Sequence, residues 1–412
     1  MLFKKISYSV VTRFIVACIN LLVLIVSSRY LGVETRGQIS WMILNIANLQ
    51  MVSEIFTGYA LVHFIPKFSL KKIFYFGLIW ILTVMIIGTF ILYYLGYLVP
   101  HYEKEFVIIS GMVILNTFCM VIILGKENLR LYNWLSILQP LILFFILAFD
   151  IFVEKKYVLD AYLDALFYSF GMALAINLFT VYQYLKKDVL NDFQTTAVLS
   201  NGFLSQWSNW MHLLANRFSY YVLSAMALQS LGIYSTATSL MESVFVIYSG
   251  ISTVVLSYVS NESDAEKSKQ VTIQAATGSM LASIMAVVII LFIPEEWILQ
   301  VLGKGFANIK LPMTIMSAGV VMISYSAVFS HYFSGKGVLK YNALSNTLSC
   351  LFTITFSHIF IQKWDIAGAA AVASISYGIE AILIVYFFHR ETKAKWSGMW
   401  DIGFLNHLKK NV

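Results

Sequence analysis

The chain alternates long apolar runs with short polar connectors along almost its whole length. An α-helix needs about 20 apolar residues to cross the hydrocarbon core of a bilayer, and each run approaches or exceeds that length. Alternating strands of about ten residues, the pattern of a membrane barrel, do not occur. We therefore predict an all-α polytopic membrane protein with 12 transmembrane helices, over residues 6–28, 39–63, 73–99, 106–124, 134–153, 161–185, 199–224, 235–258, 271–294, 311–333, 341–361 and 366–389.

Composition and charge agree with this prediction. Hydrophobic residues make up 59% of the chain and charged residues 12%, which is too little polar surface for a water-soluble globule. The net charge of +7 would suggest nucleic acid in a soluble protein, but here 18 of the 28 Lys and Arg residues lie in connectors on one predicted side. The positive-inside rule makes that side cytoplasmic and places both termini there. We expect no nucleic-acid partner.

Short sequence repeats divide the helices into two sets of six. The polar connector 186–196 separates an N-terminal lobe, residues 1–190, from a C-terminal lobe, residues 191–390, and residues 391–412 form a cytoplasmic tail. Two motifs recur at offsets of 200 and about 210 residues: Leu31-Gly32 as Leu231-Gly232, and Gly125-Lys126 with Tyr132-Asn133 as Gly335-Lys336 with Tyr341-Asn342. Since six is even, the two bundles have the same orientation in the membrane.

Polar residues inside the apolar runs are few and lie on one face of their helices. A charged side chain at the bilayer centre costs about 2.5–3.5 kcal/mol on insertion scales, so these residues should face a cavity or a partner. The first, second, seventh and eighth helices are equivalent pairs in the repeat, and we predict that their polar faces meet in a hydrated central cavity. The substrate-binding candidates are Arg13, Asn20, Gln50, Glu54, Gln206, Asn209, His212, Asn216, Arg217 and Glu242, accompanied by Ser9, Ser27, Thr57, Ser235, Thr238, Ser249 and Thr253.

Structural alternatives remain open for each of these positions. Amide and hydroxyl side chains often join transmembrane helices to one another. Arg13 can extend to the inner surface, and His212 can be a packed neutral histidine. Either glutamate, Glu54 or Glu242, can pair with an arginine and neutralise it.

The sequence contains none of the motifs that we would expect of an enzyme. There is no Gly-x-Ser-x-Gly turn, no glycine-rich phosphate loop and no zinc-ligand spacing, so we predict neither catalysis nor a metal or cofactor. Transport energy would come from an ion gradient, the membrane potential or the substrate gradient.

Four sequence elements together resemble a known family, the Wzx-type polysaccharide flippases of the multidrug/oligosaccharidyl-lipid/polysaccharide exporter (MOP) superfamily. The elements span nearly the whole chain: Arg29-Tyr30-Leu31-Gly32-Val33-Glu34 with Gly37; Asn216-Arg217 followed by Leu231-Gly232-Ile233-Tyr234-Ser235, Ala237 and Glu242; Gly335-Lys336 through Asn342; and Ile366-Ala367-Gly368-Ala369-Ala370. The resemblance implies a MATE-like exporter fold.

The resemblance also implies a function. Such a protein moves undecaprenyl-diphosphate-linked oligosaccharide units across the bacterial inner membrane by alternating access, alongside membrane lipids, a polysaccharide polymerase and chain-length machinery. The cationic lumen of the family corresponds best to Arg217, and then to Arg13 and His212. Related lipid flippases hold sodium near the eleventh helix, where this chain has Asn342 and Asn346 without a carboxylate. Glu380 is the alternative candidate for coupling to protons or ions.

Two other functions are alternatives to this one. An ion-coupled multidrug or cation antiporter of the same fold would use acidic residues such as Glu54 and Glu242 to attract its substrate. A membrane-embedded glycan polymerase or ligase would normally have a large outer loop, whereas none of the predicted outer loops exceeds about 17 residues. Twelve helices, where lipid II flippases typically have 14, argue against a peptidoglycan precursor. The sugars of the substrate, the kind of surface glycan and the coupling ion stay open.

Overall fold

The computed structural model describes residues 2–188 and 195–394, and in this part of the chain the regular structure is entirely helical. The prediction of an all-α protein is confirmed. Side chains of residues 2–10 and of residues 197, 200, 201, 204 and 205 are outside the description, so the predicted place of Ser9 on a polar face is not described. The same holds for the predicted tail beyond residue 394.

The chain folds as two compact units, Met1–Trp210 and Met211–Val412, and the division falls within one helix. The first unit contains α1 (Leu2–Thr57), α2 (Leu61–Phe64), α3 (Leu70–Tyr94), α4 (Glu103–Gly125), α5 (Leu129–Phe152), α6 (Leu159–Lys186) and the first half of α7 (Thr195–Met226). The second contains the rest of α7, α8 (Leu228–Glu242), α9 (Phe245–Asn261), α10 (Ala265–Phe292), α11 (Glu295–Leu302), α12 (Lys310–Gly335) and α13 (Lys340–Thr392).

The two longest helices are each interrupted by one residue with non-helical geometry. A straight helix of the length of α1 would extend about 84 Å, nearly three times the hydrocarbon thickness. Gly32 breaks α1 with φ 84° and ψ 172°. Arg13 and Tyr59, on opposite sides of that break, nevertheless interact electrostatically. The chain therefore reverses direction near Gly32.

The break in α13 has the same consequence. Asp365 has φ 46° and ψ −128°, and Ser349 lies within hydrogen-bonding distance of Ser376, with their hydroxyl oxygens 2.7 Å apart. Along a straight helix these serines would be roughly 40 Å apart. Helix α13 is thus a hairpin of two antiparallel helices.

The number of membrane crossings follows from these breaks only in part. Within the described ranges, eight helices are long and apolar enough to cross a membrane, or nine if α8 and α9 form one bent crossing. Dividing α1 and α13 at their breaks, and adding the 32-residue helix α7, would give the 12 crossings expected from the sequence. The exact count stays a prediction.

The eighth predicted helix is broken in the structure, which differs from the single helix over residues 235–258 expected from the sequence. Helices α8 and α9 meet at an angle of 44°. At the junction, backbone N–H groups of Val244, Val246 and Ile247 bond to carbonyls three residues back, where a continuous α-helix would bond four back. The Ser243 hydroxyl also donates to the Leu240 carbonyl at 2.7 Å, an interaction that bends helices. The polar face of this helix is therefore divided after Glu242.

One of the two repeated motifs has the same structure in both copies. The helix pairs α4–α5 and α12–α13 are each joined by a turn with a left-handed residue, Glu127 (φ 59°) and Gly337 (φ 73°). Each turn also has a backbone bond spanning five residues, from Asn128 to Ile123 and from Val338 to Phe333. This is the Schellman arrangement that ends a helix. The other motif differs, because Gly32 breaks a helix whereas Gly232 lies inside α8.

We expect Gly32→Ala to destabilise the protein by about 1–3 kcal/mol, because the conformation at Gly32 is nearly restricted to glycine. The space around it is open, so strain in the backbone is the only direct cost. Gly111→Ala is the matched control: it lies within α4, its new Cβ would be 4.0 Å from the end of Met85, and alanine favours helix. Thermal unfolding of the purified protein should show a lower midpoint for Gly32→Ala only. Equal midpoints for both variants would contradict this explanation of the break.

Candidate functional site

Two side chains, from two other helices of the second unit, bond to the carboxylate of Glu242. The two terminal nitrogens of Arg217, on α7, donate to its two oxygens, with 2.8 Å between Nη1 and Oε1. The Tyr377 hydroxyl, on α13, donates to the same Oε1 at 2.7 Å. Arg217 and Glu242 are mostly buried, with side chains 23% and 15% exposed. The sequence left Glu54 and Glu242 as possible partners of an arginine, and in the structure Arg217 pairs with Glu242.

The position of Glu242 in its helix explains why it needs a cation. It is the last residue of α8, just before the break, and a carboxylate in the last turn of a helix is disfavoured by the helix dipole. A guanidinium offering two parallel N–H groups compensates this charge. The Tyr220 ring lies 5.3 Å below the guanidinium of Arg217 and packs edge-on against Tyr234. Aromatic contact thus fixes the arginine from a second direction.

A second ionisable pair lies beside the first. Nδ1 of His212 is 3.1 Å from Oε2 of Glu380, and the amide nitrogen of Asn216 is 3.0 Å from Nε2 of the same histidine. An amide nitrogen can only donate, so this arrangement assigns a neutral histidine with its proton on Nδ1, donating to Glu380. Oδ1 of Asn216 is buried without a hydrogen-bond partner. Rotating that amide would bring an acceptor to Nε2, so the same residues accommodate a protonated histidine.

The first unit contains a separate polar cluster around Glu54. Its two carboxylate oxygens accept from the side-chain amides of Gln50, at 2.7 Å, and Gln206, at 3.1 Å. Asn209 donates in turn to Gln206. Gly58 makes this approach possible, since a Cβ there would lie 2.6 Å from the Gln206 amide. Glu54 thus has amide partners, whereas Glu242 has an arginine.

The other predicted binding residues are at more exposed positions. Arg13 and Asn20 are both exposed on the first segment of α1.

Helix α7 contributes to both clusters, with Gln206 and Asn209 in the first unit and His212, Asn216 and Arg217 in the second. The predicted meeting of all four polar faces in one cavity stays a prediction.

The ion-coupling candidates do not form one group. Asn342 donates to the Ser330 carbonyl at 3.0 Å and to the Ser334 hydroxyl at 3.2 Å, at the end of α12. The neighbouring Tyr341 bonds to Glu391, which lies 11 residues beyond Glu380 on the second half of the hairpin. Asn342 is therefore roughly 10 Å or more from Glu380 along the hairpin axis. Asn346 is buried on the same helix. No group of three or more potential metal ligands occurs among the residues that the structure describes.

Hydroxyl groups in the same region bond to protein partners. Ser349 and Thr353 both contact the hydroxyl of Ser376, and Thr353 also donates to the Ala215 carbonyl at 3.1 Å. These bonds join α7 to both halves of the α13 hairpin. These hydroxyl groups therefore form hydrogen bonds between helices, as polar side chains in transmembrane helices often do.

Sequence reasoning missed the aromatic part of the site. Tyr377 and Tyr220 were not selected, because tyrosine in an apolar helix is usually a packing residue. A usable signal exists for Tyr377, which precedes Glu380 by three residues and therefore lies on the same face of the helix. Its hydroxyl must find a partner when buried.

Comparisons with known proteins agree with this architecture. The family model described as "Polysaccharide biosynthesis protein" matches residues 230–397. A comparison with curated protein sequences finds no match.

Several solved structures share the fold over nearly the whole chain. The lipid II flippase MurJ, in an inward closed conformation, is 17% identical, with 94% of this chain and 88% of that chain covered and a TM-score of 0.67. An inward-facing multidrug resistance MATE family transporter of the MOP superfamily is 13% identical, with 91% and 94% covered and a TM-score of 0.70. A MOP superfamily transporter from Pyrococcus furiosus, reported with a reverse polarity of its binding pocket, is 14% identical, with 95% and 96% covered and a TM-score of 0.68.

These likenesses confirm the resemblance inferred from the sequence motifs. The matched region 230–397 includes Glu242, Tyr377 and Glu380, whereas the residues of the same cluster on α7, including Arg217 and His212, precede it. The chain is a multi-pass membrane protein with the fold of the MOP-superfamily transporters, and its second half matches the polysaccharide biosynthesis family.

Proposed function

We propose that this protein is a flippase that moves undecaprenyl-diphosphate-linked oligosaccharide units across the bacterial inner membrane by alternating access. The observation that carries the proposal is the family match over residues 230–397, which contain the carboxylates paired with Arg217 and His212. The transporter fold of the whole chain supports the same conclusion. We further propose that both termini are cytoplasmic and that a polysaccharide polymerase and chain-length machinery receive the product.

The chemistry of the second-unit cluster suits a lipid-linked diphosphate. A guanidinium binds phosphate oxygens through two parallel N–H groups, and Arg217 is held in place by Tyr220 and Glu242. The His212 side chain is 37% exposed and adds a group that can become cationic. Asn216 adds an amide suited to sugar hydroxyls. In this proposal the lipid tail stays in the bilayer while the polar part crosses.

The proposal is tested by deleting the gene in a source strain that has no second copy. We expect the surface glycan to be lost and its lipid-linked unit to accumulate facing the cytoplasm, where a membrane-impermeant reagent added outside cannot reach it. Reintroducing the wild-type gene should restore both. An unchanged glycan profile in the deletion strain would reject the proposed function.

A second candidate function is an ion-coupled multidrug or cation antiporter of the same fold. It is favoured by Glu54, a buried carboxylate that accepts hydrogen bonds from the neutral amides of Gln50 and Gln206, because such a group attracts cations. Glu54→Gln is the discriminating variant. If the protein is an antiporter, Glu54→Gln should abolish drug efflux. If it is a flippase, strains with and without the protein should have the same drug resistance.

A further inference from the structure

The cluster around Arg217 carries a net negative charge when His212 is neutral. One arginine faces two carboxylates, Glu242 and Glu380, and in the observed arrangement His212 has one proton, on Nδ1, which it donates to Glu380. A diphosphate carries at least two negative charges at neutral pH. In a mostly buried site, where charges interact more strongly than in water, such a substrate is repelled unless the cluster loses negative charge.

The negative charge of Glu242 opposes the binding of a phosphate group to Arg217. It occupies both terminal nitrogens of Arg217, the same pair of donors that a phosphate would use. When Arg217 turns to a substrate, Glu242 keeps only the hydroxyl of Tyr377 and stays in the unfavourable last turn of α8. A buried carboxylate in that position takes up a proton.

Among the residues that the structure describes, the groups that face this carboxylate include no permanent cation besides Arg217. They are Arg217, His212 and Tyr220 from α7, Tyr234 from α8 itself, Tyr248 from α9, and Tyr377 and Glu380 from α13. From α12, the uncharged Met316 contacts Thr238 of α8. Among them, His212 is the other side chain that can become cationic and so offset negative charge in the cluster. A protonated His212 would be offset by its own partner Glu380, so the charge of Glu242 would still be uncompensated.

We propose that an anionic lipid-linked diphosphate and a proton bind together, the phosphate replacing Glu242 on Arg217 while Glu242 becomes protonated. The inference rests on the proposed function and names its coupling ion. In the step, the ion pair between Arg217 and Glu242 breaks, an O–H bond forms on the Glu242 carboxylate with a proton taken from water, and no covalent bond of the substrate changes. Release of the substrate returns the proton.

The test measures binding of farnesyl diphosphate to the full-length protein in lipid nanodiscs from pH 6 to pH 9. Uptake of one proton makes the wild-type affinity fall by up to about tenfold per pH unit as the pH rises, beyond the change due to the probe itself. Glu242→Gln removes the exchange, so its affinity should follow the titration of the probe alone and exceed that of the wild type at pH 8 by about tenfold or more. Calorimetry in two buffers of different ionisation enthalpy counts the protons directly.

Two further variants make the outcome specific. Tyr377→Phe removes a hydrogen-bond donor to the ionised carboxylate of Glu242 but keeps the Arg217–Glu242 ion pair. The pH range over which the affinity falls should therefore shift to higher pH than in the wild type. His212→Gln removes a group of the binding cluster and should lower the affinity by a similar factor at every pH, so the fall in affinity per pH unit should equal that of the wild type. Equal pH dependence in the wild type and Glu242→Gln, or its loss in His212→Gln alone, would overturn the coupling while leaving the flippase intact. Absence of probe binding in every variant would reject the proposed function itself.

Discussion

Replacing Arg217 with alanine should weaken binding of a lipid-linked diphosphate by roughly 10- to 100-fold, because hydrogen bonds to charged groups contribute about 1.5–3 kcal/mol. The same change should destabilise the protein by about 3 kcal/mol, since it leaves Glu242 mostly buried without its cation. Affinity for farnesyl diphosphate and the midpoint of thermal unfolding, measured on the same preparation, report the two effects separately.

A double variant separates loss of the binding group from loss of structure. Arg217→Gln combined with Glu242→Gln replaces the ion pair by two amides that can bond to each other. We expect it to recover most of the stability and none of the affinity. Arg217→Lys keeps the charge without the paired N–H groups and should bind with intermediate strength. Wild-type affinity in the double variant would mean that Arg217 has only a structural role.

Gly368→Ala should disrupt the hairpin of α13 and strongly lower the stability of the protein. A Cβ at this position would lie 2.1 Å from the carbonyl oxygen of Phe360, which belongs to the other half of the hairpin. The obstacle is backbone, so a side chain cannot move aside to relieve it. Overpacking of this kind costs about 1–3 kcal/mol and sometimes more. The unfolding midpoint and the yield of monodisperse protein measure it.

The control for this variant lies ten residues further along the same helix. At Gly378 a new Cβ would meet the flexible end of Met322 at 3.6 Å, an ordinary contact, and alanine favours helix. Gly378→Ala should therefore unfold at or slightly above the wild-type temperature. Equal stability of the two variants would show that the hairpin is not as tightly closed at Gly368 as the structure indicates.

The sequence allowed the helical fold to be predicted because lipid restricts the choice. Backbone groups in hydrocarbon must be satisfied within the segment, so an apolar run of sufficient length becomes a helix whatever its neighbours are. The same reasoning placed the chain reversal after the first run, where the structure has Gly32. It could not place the break after Glu242, which depends on local hydrogen bonds of Ser243 and its neighbours.

The residue types of the site were also predictable, whereas their pairing was not. Arg217 and Glu242 stand out because a charge inside an apolar run is rare and costly. Helical periodicity gives the face on which each lies, but both glutamates, Glu54 and Glu242, remained possible partners of an arginine. The choice is made by tertiary packing, which brings α7, α8 and α13 together. The contribution of Tyr377 became visible only with that packing.

Asn342 shows the limit of a pattern on one helix. Its amide nitrogen bonds to Ser330 and Ser334 of the preceding helix, contacts that the polar run with Asn346 does not indicate, and the ion site suggested by that run stays a prediction. Glu380, selected only for its depth in an apolar run, instead contacts His212 and lies beside the Arg217 pair.

Transport by the purified protein tests the central claim most directly. The protein would be reconstituted into liposomes whose inner and outer leaflets both contain a fluorescent undecaprenyl-diphosphate oligosaccharide, and an impermeant quencher added outside would report movement between leaflets. We expect exchange of the lipid between leaflets with the wild type, and little exchange with the double variant of Arg217 and Glu242 at equal stability. Exchange equal to that of empty liposomes, in preparations that instead transport cationic drugs, would contradict the account.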